Sequence, residues 1–252
     1  MVDSILLIGQ SNAAGRGKLN EAAPLDTCGG KLKVQRNGRW LGMYRPVNND
    51  RPFSGTCLVE SFAKAYYQDH QDVEVGVIPC ADGGTSLDQW QPGELLFDNA
   101  VNCAKLAMRT SRIVAILWHQ GEADCHESKY PLYKEKFGRI VNALRDELDL
   151  PDVPIIIGGL GDFLADCPLD QNLKNYIFVN KELMEFAKEN HNCAYASAEG
   201  LGANSDNLHF NAQALDEFGL RYYEEFKKFA IASNESKGTI NADTKLTEME
   251  LL

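Results

Sequence analysis

The sequence predicts an α/β fold, a three-layer α/β/α sandwich in which helices cover both faces of a five-stranded parallel sheet, as in flavodoxin. Two observations support this prediction. Short apolar runs alternate along the chain with longer amphipathic stretches, which is the pattern of β-α-β units. The central apolar runs also lack hydrophobic–polar alternation, as is typical of strands that are covered on both faces. Ligands of such sheets bind beyond the carboxyl ends of the strands.

The predicted elements follow from apolar periodicity. Five apolar runs are predicted strands: Ser4–Gly9, Val73–Pro79, Arg112–His119, Val153–Gly159 and Cys193–Ser197. Five amphipathic segments are predicted helices, each with a stripe of core residues on one face: residues 56–69, 94–110, 130–148, 172–190 and 211–232. Residues 17–55 contain much Gly, Asn, Pro and Arg with little periodicity, so we expect a long loop that shapes a site.

The bulk composition limits the domain organisation and the partners. We expect one domain over residues 1–233 and a polar, mobile tail over residues 234–252. A net charge of -11 disfavours nucleic acid as a partner, because nucleic-acid binding depends on Lys and Arg. The seven cysteines are odd in number and form no CxxC pairs, which favours reduced thiols. No secretory signal or membrane-length apolar run is visible, so a cytoplasmic location is expected.

Polar clusters follow four of the predicted strands: GQSN at residues 9–12, ADGGTSLDQW at 81–90, HQGEAD at 119–124 and SDNLHFN at 205–211. Ser11 lies where the first strand should pass into a helix, a position that suits phosphate binding or a nucleophile. Phosphate binding is disfavoured by two failed motifs. Gln10 and Asn12 interrupt a dinucleotide fingerprint, and Gly17-Lys18 lacks the Ser or Thr of a Walker A loop.

A nucleophile needs a base and an acid that orients the base, and the DNLH segment offers both. Asp206 and His209 are three residues apart and can face the same way, so Asp206 would orient His209 and His209 would activate Ser11. Donors for a developing oxyanion are available from the Ser11 amide, the Gly84 amide and the Gln120 side chain.

Four motifs occur in a fixed order along the chain: GQSN, GGT with a downstream Trp, WHQGEAD and DxxH. In this set and order of motifs the sequence resembles the SGNH (GDSL-like) hydrolase superfamily. It is most similar to the sialate O-acetylesterase-type branch, carbohydrate esterase family 6, which includes acetylxylan esterases. The resemblance spans about residues 4–230 and implies a carbohydrate O-acetylesterase with no metal or organic cofactor and an acetylated carbohydrate as substrate. It implies Ser11, Asp206 and His209 as the triad, with Ser11, Gly84 and Gln120 around the oxyanion.

Within this motif set the sequence differs from the wider superfamily. Gln10 and Asn12 replace the Asp and Leu of GDSL, and Gln120 stands where Asn is usual. The branch shares these differences, which narrows the assignment to it.

Alternative interpretations concern single residues and whole functions. Ser11 could cap a helix, and Glu122 could replace Asp206 as the triad acid. Arg16 could line the pocket and Trp90 could stack on a sugar ring. A metal-dependent hydrolase could use a cluster of His119, Glu122, Asp124 and His126. A carbohydrate-binding protein without turnover is a third class, although it would not need the full set of catalytic residues.

Overall fold

A seven-stranded sheet forms the centre of the fold. The computed structural model describes residues 1–229. The strands are β1 (Val2–Gly9), β2 (Leu32–Arg36), β3 (Arg39–Gly42), β4 (Glu74–Pro79), β5 (Ser111–His119), β6 (Ile155–Gly158) and β7 (Cys193–Ala196). They lie in the order β3-β2-β4-β1-β5-β6-β7, and every neighbouring pair is parallel except β2 and β3.

Helices pack on both faces of this sheet. They are α1 (Ser11–Ala14), α2 (Val59–Asp69), α3 (Leu95–Ala107), α4 (Tyr133–Leu148), α5 (Tyr176–Glu189) and α6 (Ala212–Lys227). In β1, Leu6 and Ile8 join the core that α3, α4 and α5 cover, whereas Ile5 and Leu7 join the core under α2 and α6. Alternate side chains of a strand point to opposite faces, so Ile5, Leu6, Leu7 and Ile8 are all apolar because both faces of the strand are buried there.

The predicted fold class is confirmed, and the predicted number of strands is wrong. All five predicted strands are present, and their order within the sheet is second, first, third, fourth, fifth, as in flavodoxin. The sheet has seven strands because β2 and β3 lie inside residues 17–55, which we expected to be a loop. They form a hairpin around Asn37 and Gly38, both with positive φ (50° and 74°), which is the geometry of a type I′ turn.

The domain limits stay a prediction, and the proposed tail at residues 234–252 lies outside the described residues. Within residues 1–229, no helix combines the length and apolar composition needed to cross a bilayer. All seven cysteines are present as free thiols.

The strand ends bring the four polar clusters to one edge of the sheet. The N–H of Gln10 donates to the carbonyl of His119 over 2.8 Å, which joins the ends of β1 and β5. The N–H of Asp82 donates to the carbonyl of Gly9 over 2.9 Å, which joins the segment after β4 to the same point. A Cβ on Gly9 would lie 2.0 Å from the carbonyl oxygen of His119, so the backbones can meet here only because residue 9 is glycine.

A close helix crossing gives a test of this packing. A Cβ at Gly219 in α6 would lie 2.0 Å from the carbonyl oxygen of Leu58 and 2.1 Å from Oγ of Ser61, at the start of α2. Gly219→Ala should therefore lower the free energy of unfolding by about 1–3 kcal/mol, because the helices must separate. The measurement is a urea unfolding curve monitored by circular dichroism.

Gly138 in α4 provides the matched control for this substitution. Its Cβ position has a nearest neighbour at 3.4 Å, the ring of Phe186. Gly138→Ala should be neutral or stabilising by up to about 1 kcal/mol, since Ala favours a helix over Gly. Equal effects of the two substitutions would contradict the tight crossing of α2 and α6.

Candidate active site

Ser11 lies at the junction between β1 and α1. Gln10 occupies the N-cap position of α1, and Ser11 is the first helical residue. The Ser11 hydroxyl makes no capping hydrogen bond; its Oγ lies 3.1 Å from Nε2 of His209. The residue is only 7% exposed. The hydroxyl is therefore engaged with the imidazole and not with the helix start, in contrast to the helix-cap interpretation.

Asp206, His209 and Ser11 form a continuous chain of hydrogen bonds. Nδ1 of His209 lies 2.7 Å from Oδ2 of Asp206, on the far side of the ring from Ser11. Oδ1 of Asp206 accepts hydrogen bonds from the N–H groups of Leu208 and His209, over 3.0 and 3.1 Å. Because a carboxylate only accepts, Nδ1 carries the proton, and Nε2 is left to accept the hydrogen bond from the Ser11 hydroxyl.

Asp206 is held in its charged form. Partial burial raises the pKa of its carboxyl, but the hydrogen bonds from His209 and from the backbone of Leu208 and His209 outweigh burial and hold the pKa below its ordinary value. The carboxylate therefore keeps the orientation and tautomer of the imidazole constant over the neutral pH range.

Asn12 fixes the backbone on both sides of His209, a role that the sequence analysis missed. Its Nδ2 donates to the carbonyl of Leu208 and its Oδ1 accepts from the N–H of Phe210, each over 3.1 Å. Nδ2 also donates to Oε1 of Glu122 over 2.5 Å. This bond to Glu122 sets which end of the Asn12 amide faces each backbone group. Asn12 is 1% exposed, so these bonds are shielded from water.

Glu122 was the alternative triad acid, and the structure places it away from that position. Oε1 of Glu122 bonds Asn12 and lies 4.0 Å from Nδ1 of His119. The carboxylate that touches His209 belongs to Asp206. Glu122 therefore contacts the His209 ring only indirectly, through Asn12 and the backbone next to His209.

The turn after β4 presents its backbone beside Ser11. A Cβ at Gly83 would lie 3.4 Å from Cβ of Ser11. Gly84 has a φ of 79°, and a Cβ there would meet no atom within 4 Å. Within residues 1–229, the backbone N–H groups of Ser11 and Gly84 make no hydrogen bond. The backbone N–H groups of Ser11 and Gly84 are thus free of a partner within the described residues.

Gln120 is not available as an oxyanion donor, which corrects the sequence-based assignment. It is fully buried, and its Nε2 donates to the carbonyl of Thr85 over 3.1 Å and to Oδ2 of Asp124 over 2.5 Å. Its Oε1 accepts from the hydroxyl of Tyr133 over 2.9 Å. Both N–H bonds of the amide are used inside the protein, so this side chain supports the loops around the site.

Gln10 has the free amide that Gln120 lacks. Its Oε1 accepts from the N–H groups of Gly121 and Ala123, each over 3.3 Å, which fixes the plane of the amide. Nε2 of Gln10 makes no hydrogen bond to any residue that the structure describes. Gln10 directly precedes Ser11 in the chain, and its NH₂ group is a third N–H donor that has no partner among the described residues. The sequence signal for Gln10 is its place in the GQSN motif, immediately before Ser11.

Arg16 is buried in an ion pair and does not face an open pocket. It is 8% exposed, and its guanidinium holds the carboxylate of Asp50 through two hydrogen bonds of 3.1 and 2.7 Å. Oδ2 of Asp50 also accepts from the N–H of Gly83 over 2.9 Å. Burial raises the pKa of Asp50, but bonds from Arg16, Ser54 and Gly83 outweigh it and keep the pKa below its ordinary value. Arg16 and Asp50 therefore support the turn beside Ser11.

Trp90 lies in the core, so the predicted stacking on a sugar ring is wrong. It is 1% exposed, and its ring packs edge-on against Trp118 with centroids 5.7 Å apart. Its indole N–H donates to Oγ1 of Thr85 over 3.0 Å. Neither face of the ring is open to a ligand.

The hypothetical metal cluster does not assemble. His119 is fully buried between the rings of Phe210 and Phe218, and its Nε2 bonds the carbonyl of Gly159. Desolvation lowers the pKa of His119 and favours the neutral ring. The side chain of His126 lies at the surface against Ser128. Among residues 1–229, no three His, Cys, Asp or Glu side chains are grouped to hold a metal ion.

Comparison with known proteins identifies the family. The family model described as carbohydrate esterase, sialic acid-specific acetylesterase matches residues 2–228. The chain belongs to this family. The predicted resemblance to SGNH-type carbohydrate esterases is confirmed, and with it the prediction of an esterase, which is a hydrolase.

Individual members and structures agree with this assignment. A probable carbohydrate esterase of Arabidopsis thaliana is 28% identical over 246 residues, covering 85% of this chain and 86% of that protein. The X-ray structure of an Arabidopsis thaliana protein matches with a TM-score of 0.80 at 24% identity, over 90% of this chain and 98% of that one. The crystal structure of NanS matches with a TM-score of 0.69 at 16% identity, over 90% and 97%. These structures share the fold of this carbohydrate esterase.

The buried ion pair of this esterase gives a pH-dependent prediction. Asp50→Asn leaves the Arg16 guanidinium buried without its anion, which should cost about 3–5 kcal/mol of unfolding free energy at pH 7. The pKa of Asp50 is lower in the folded state than its ordinary value of 3.8. The stabilisation that Asp50 contributes to the unfolding free energy is therefore complete above pH 3.8, and it is lost as the pH falls through the lowered pKa. Urea unfolding should be measured between pH 7 and pH 3. The difference in unfolding free energy between wild type and Asp50→Asn, the gap, should narrow only at the acid end of this range. A gap that is independent of pH would contradict the ion pair.

Proposed function

We propose that this carbohydrate esterase is a serine esterase that removes O-acetyl groups from a sugar through an acetyl-serine intermediate. The observation that supports the proposal is the hydrogen-bonded chain of Asp206, His209 and Ser11. The same order of acid, base and nucleophile operates in serine hydrolases of unrelated folds. Acetylated xylo-oligosaccharides and O-acetylated sialic acids are the two candidate substrates.

In the first half of the reaction, Oγ of Ser11 attacks the carbonyl carbon of the acetyl group. Nε2 of His209 takes the hydroxyl proton as the new C–O bond forms. The tetrahedral intermediate then collapses, the bond to the sugar oxygen breaks, and His209 returns the proton to that oxygen. The sugar leaves with a free hydroxyl, and the acetyl group stays on Ser11.

In the second half, water replaces the sugar. His209 takes a proton from the water as its oxygen attacks the acetyl carbonyl, and then returns the proton to Oγ of Ser11 as acetate leaves. Asp206 stabilises the imidazolium that exists in both halves, and its hydrogen bond to Nδ1 keeps the ring oriented. The enzyme is thus regenerated with no group gained or lost.

We assign three N–H donors to the oxyanion. They are the backbone N–H groups of Ser11 and Gly84 and the side-chain Nε2 of Gln10, each free of another described partner. We assign Gln10 to this role in place of Gln120, because both N–H bonds of Gln120 are occupied inside the protein. Fixed donors of this kind need no reorganisation as charge develops, and each is worth about 2.7–4 kcal/mol in the transition state.

The serine mechanism is tested with p-nitrophenyl acetate. Wild-type protein should release p-nitrophenol with and without EDTA, and Ser11→Ala should lower kcat by at least about 10³-fold with an unchanged melting temperature. Activity in Ser11→Ala would contradict the nucleophile assignment. Activity that EDTA abolishes would restore a metal-dependent hydrolase, and a lack of activity in every protein would favour a carbohydrate-binding protein without turnover.

The choice between the two glutamines is tested with matched substitutions. Gln10→Glu keeps the Oε1 acceptor of Gly121 and Ala123 but replaces the NH₂ donor, so kcat should fall by about 10²-fold or more while the protein stays folded. Gln120→Glu brings a carboxylate against Asp124, so its main effect should be a lower melting temperature. The reverse pattern, with a stable but inactive Gln120→Glu protein and an active Gln10→Glu protein, would return the donor role to Gln120.

A further inference from the structure

Phe53 is an aromatic side chain exposed next to the candidate active site. It is 70% exposed, whereas most large aromatic side chains of the described residues lie in the two cores. An aromatic ring in water gains free energy when an apolar surface covers it. The position of such a ring therefore indicates where a ligand can bind, provided that the ring is held in place.

The turn that carries Phe53 is held by several hydrogen bonds. The N–H of Ser54 donates to the carbonyl of Arg51 over 3.0 Å, and Oγ of Ser54 donates to Oδ1 of Asp50 over 2.8 Å. Just after the turn, the N–H of Gly55 donates to the carbonyl of Gly15 over 3.1 Å. This last bond fixes the turn to the residue that ends α1, so the backbone that carries the ring is held relative to Ser11.

Arg16 and Gly83 connect the ring to the nucleophile. The guanidinium carbon of Arg16 lies 5.3 Å from the centre of the Phe53 ring, on the protein side of it. An Nη2 atom of Arg16 lies 2.4 Å from the Cβ position of Gly83, which is 3.4 Å from Cβ of Ser11. Phe53 is thus separated from Ser11 by one buried side chain and one turn of backbone.

A polar pair at the same turn complements the ring. Nη2 of Arg51 donates to Oδ1 of Asp82 over 2.8 Å and to the carbonyl of Gly83 over 3.0 Å. The side chains of Arg51 and Asp82 are 38% and 33% exposed, so both retain faces that can bind hydroxyl groups. An aromatic face for the C–H groups of a pyranose, with donors and acceptors for its hydroxyls, is a suitable surface for a sugar.

Charge favours a neutral sugar at this surface. Each of the two guanidinium groups at the turn already has a carboxylate partner, Arg16 with Asp50 and Arg51 with Asp82. An acidic sugar would have to compete with Asp82 for Arg51, and its own carboxylate would lie close to that of Asp82. Like charges at such short range are unfavourable.

We infer that Phe53, Arg51 and Asp82 form a subsite that binds a neutral pyranose ring of the acetylated substrate, with the ring stacked on Phe53. This inference rests on the proposed function for the position of the acetyl group at Ser11. The subsite selects the sugar, whereas the oxyanion donors and the triad act on the acetyl group. It would therefore favour an acetylated xylo-oligosaccharide over an O-acetylated sialic acid.

The test compares a substrate that has sugar rings with one that has none. The probes are xylobiose that carries one O-acetyl group and keeps its other hydroxyls free, with acetate release measured enzymatically, and p-nitrophenyl acetate. Phe53→Ala should lower the ratio of kcat/KM for acetylated xylobiose to that for p-nitrophenyl acetate by about tenfold, which corresponds to about 1.4 kcal/mol. Phe53→Trp should keep the ratio within about threefold of wild type.

Tyr44 is the matched control. It is another exposed aromatic side chain, and its ring centre also lies 5.3 Å from a guanidinium carbon, that of Arg36. Tyr44→Ala should change the ratio by less than about twofold. A ratio that is unchanged in Phe53→Ala, or that falls equally in Tyr44→Ala, would overturn the subsite.

Binding to an inactive variant separates this inference from the proposed function. Ser11→Ala should bind acetylated xylobiose in an NMR titration, and the double variant Ser11→Ala/Phe53→Ala should bind it about tenfold more weakly. If the wild type released no acetate but binding still depended on Phe53, the esterase proposal would fail and the subsite would stand. If wild type released acetate and binding did not depend on Phe53, the subsite would fail alone.

Discussion

The contact between the ends of β1 and β5 is the constraint on which the rest of the site depends. The backbones meet at Gly9 and His119, where the N–H of Gln10 bonds the His119 carbonyl over 2.8 Å. This contact brings the residues after β1 next to the residues after β5. Gln10 can then accept from Gly121 and Ala123, and Asn12 can reach Glu122. A side chain at position 9 would push the strands apart and break all of these bonds together.

Buried carboxylates give the site its rigidity without contacting the reacting atoms. Glu122 orients Asn12, which holds the backbone on both sides of His209. Asp50 holds the turn at Gly83, and Asp124 holds the N–H of Leu87 and the amide of Gln120. Burying a carboxyl group is unfavourable unless it is hydrogen-bonded, so the bonds of Asp50 and Asp124 favour one arrangement of their neighbours, whereas Oε2 of Glu122 has no partner among the described residues. The Ser11 hydroxyl and the N–H groups near it are thereby held in place before a ligand binds, and the serine mechanism proposed above would need such fixed groups.

The sequence predicts most of the fold because its central strands are apolar on both faces and its helices are amphipathic. It also places Ser11, Asp206 and His209 at one edge, since parallel strands end together. The hairpin at residues 32–42 was missed because an edge hairpin has few apolar residues, although Asn37 and Gly38 were a turn signal. The two glutamines could not be distinguished, because the role of an amide depends on which neighbours use its N–H groups. Asp50 and Phe53 lie in an aperiodic segment, and only the folded turn brings them beside Gly83.

The connection from β7 back to the centre of the sheet has a consequence for inactivation. His209 and Asp206 lie on the segment between β7, the edge strand, and α6, whereas Ser11 follows the central strand β1. That segment is joined to the centre by few bonds, among them those from Asn12 and the bond from Asn204 to the Arg16 carbonyl. Edge segments open at lower free energy than the centre of a sheet. Mild heat or denaturant is therefore expected to move His209 away from Ser11 while most strands remain paired, before the loss of secondary structure becomes visible.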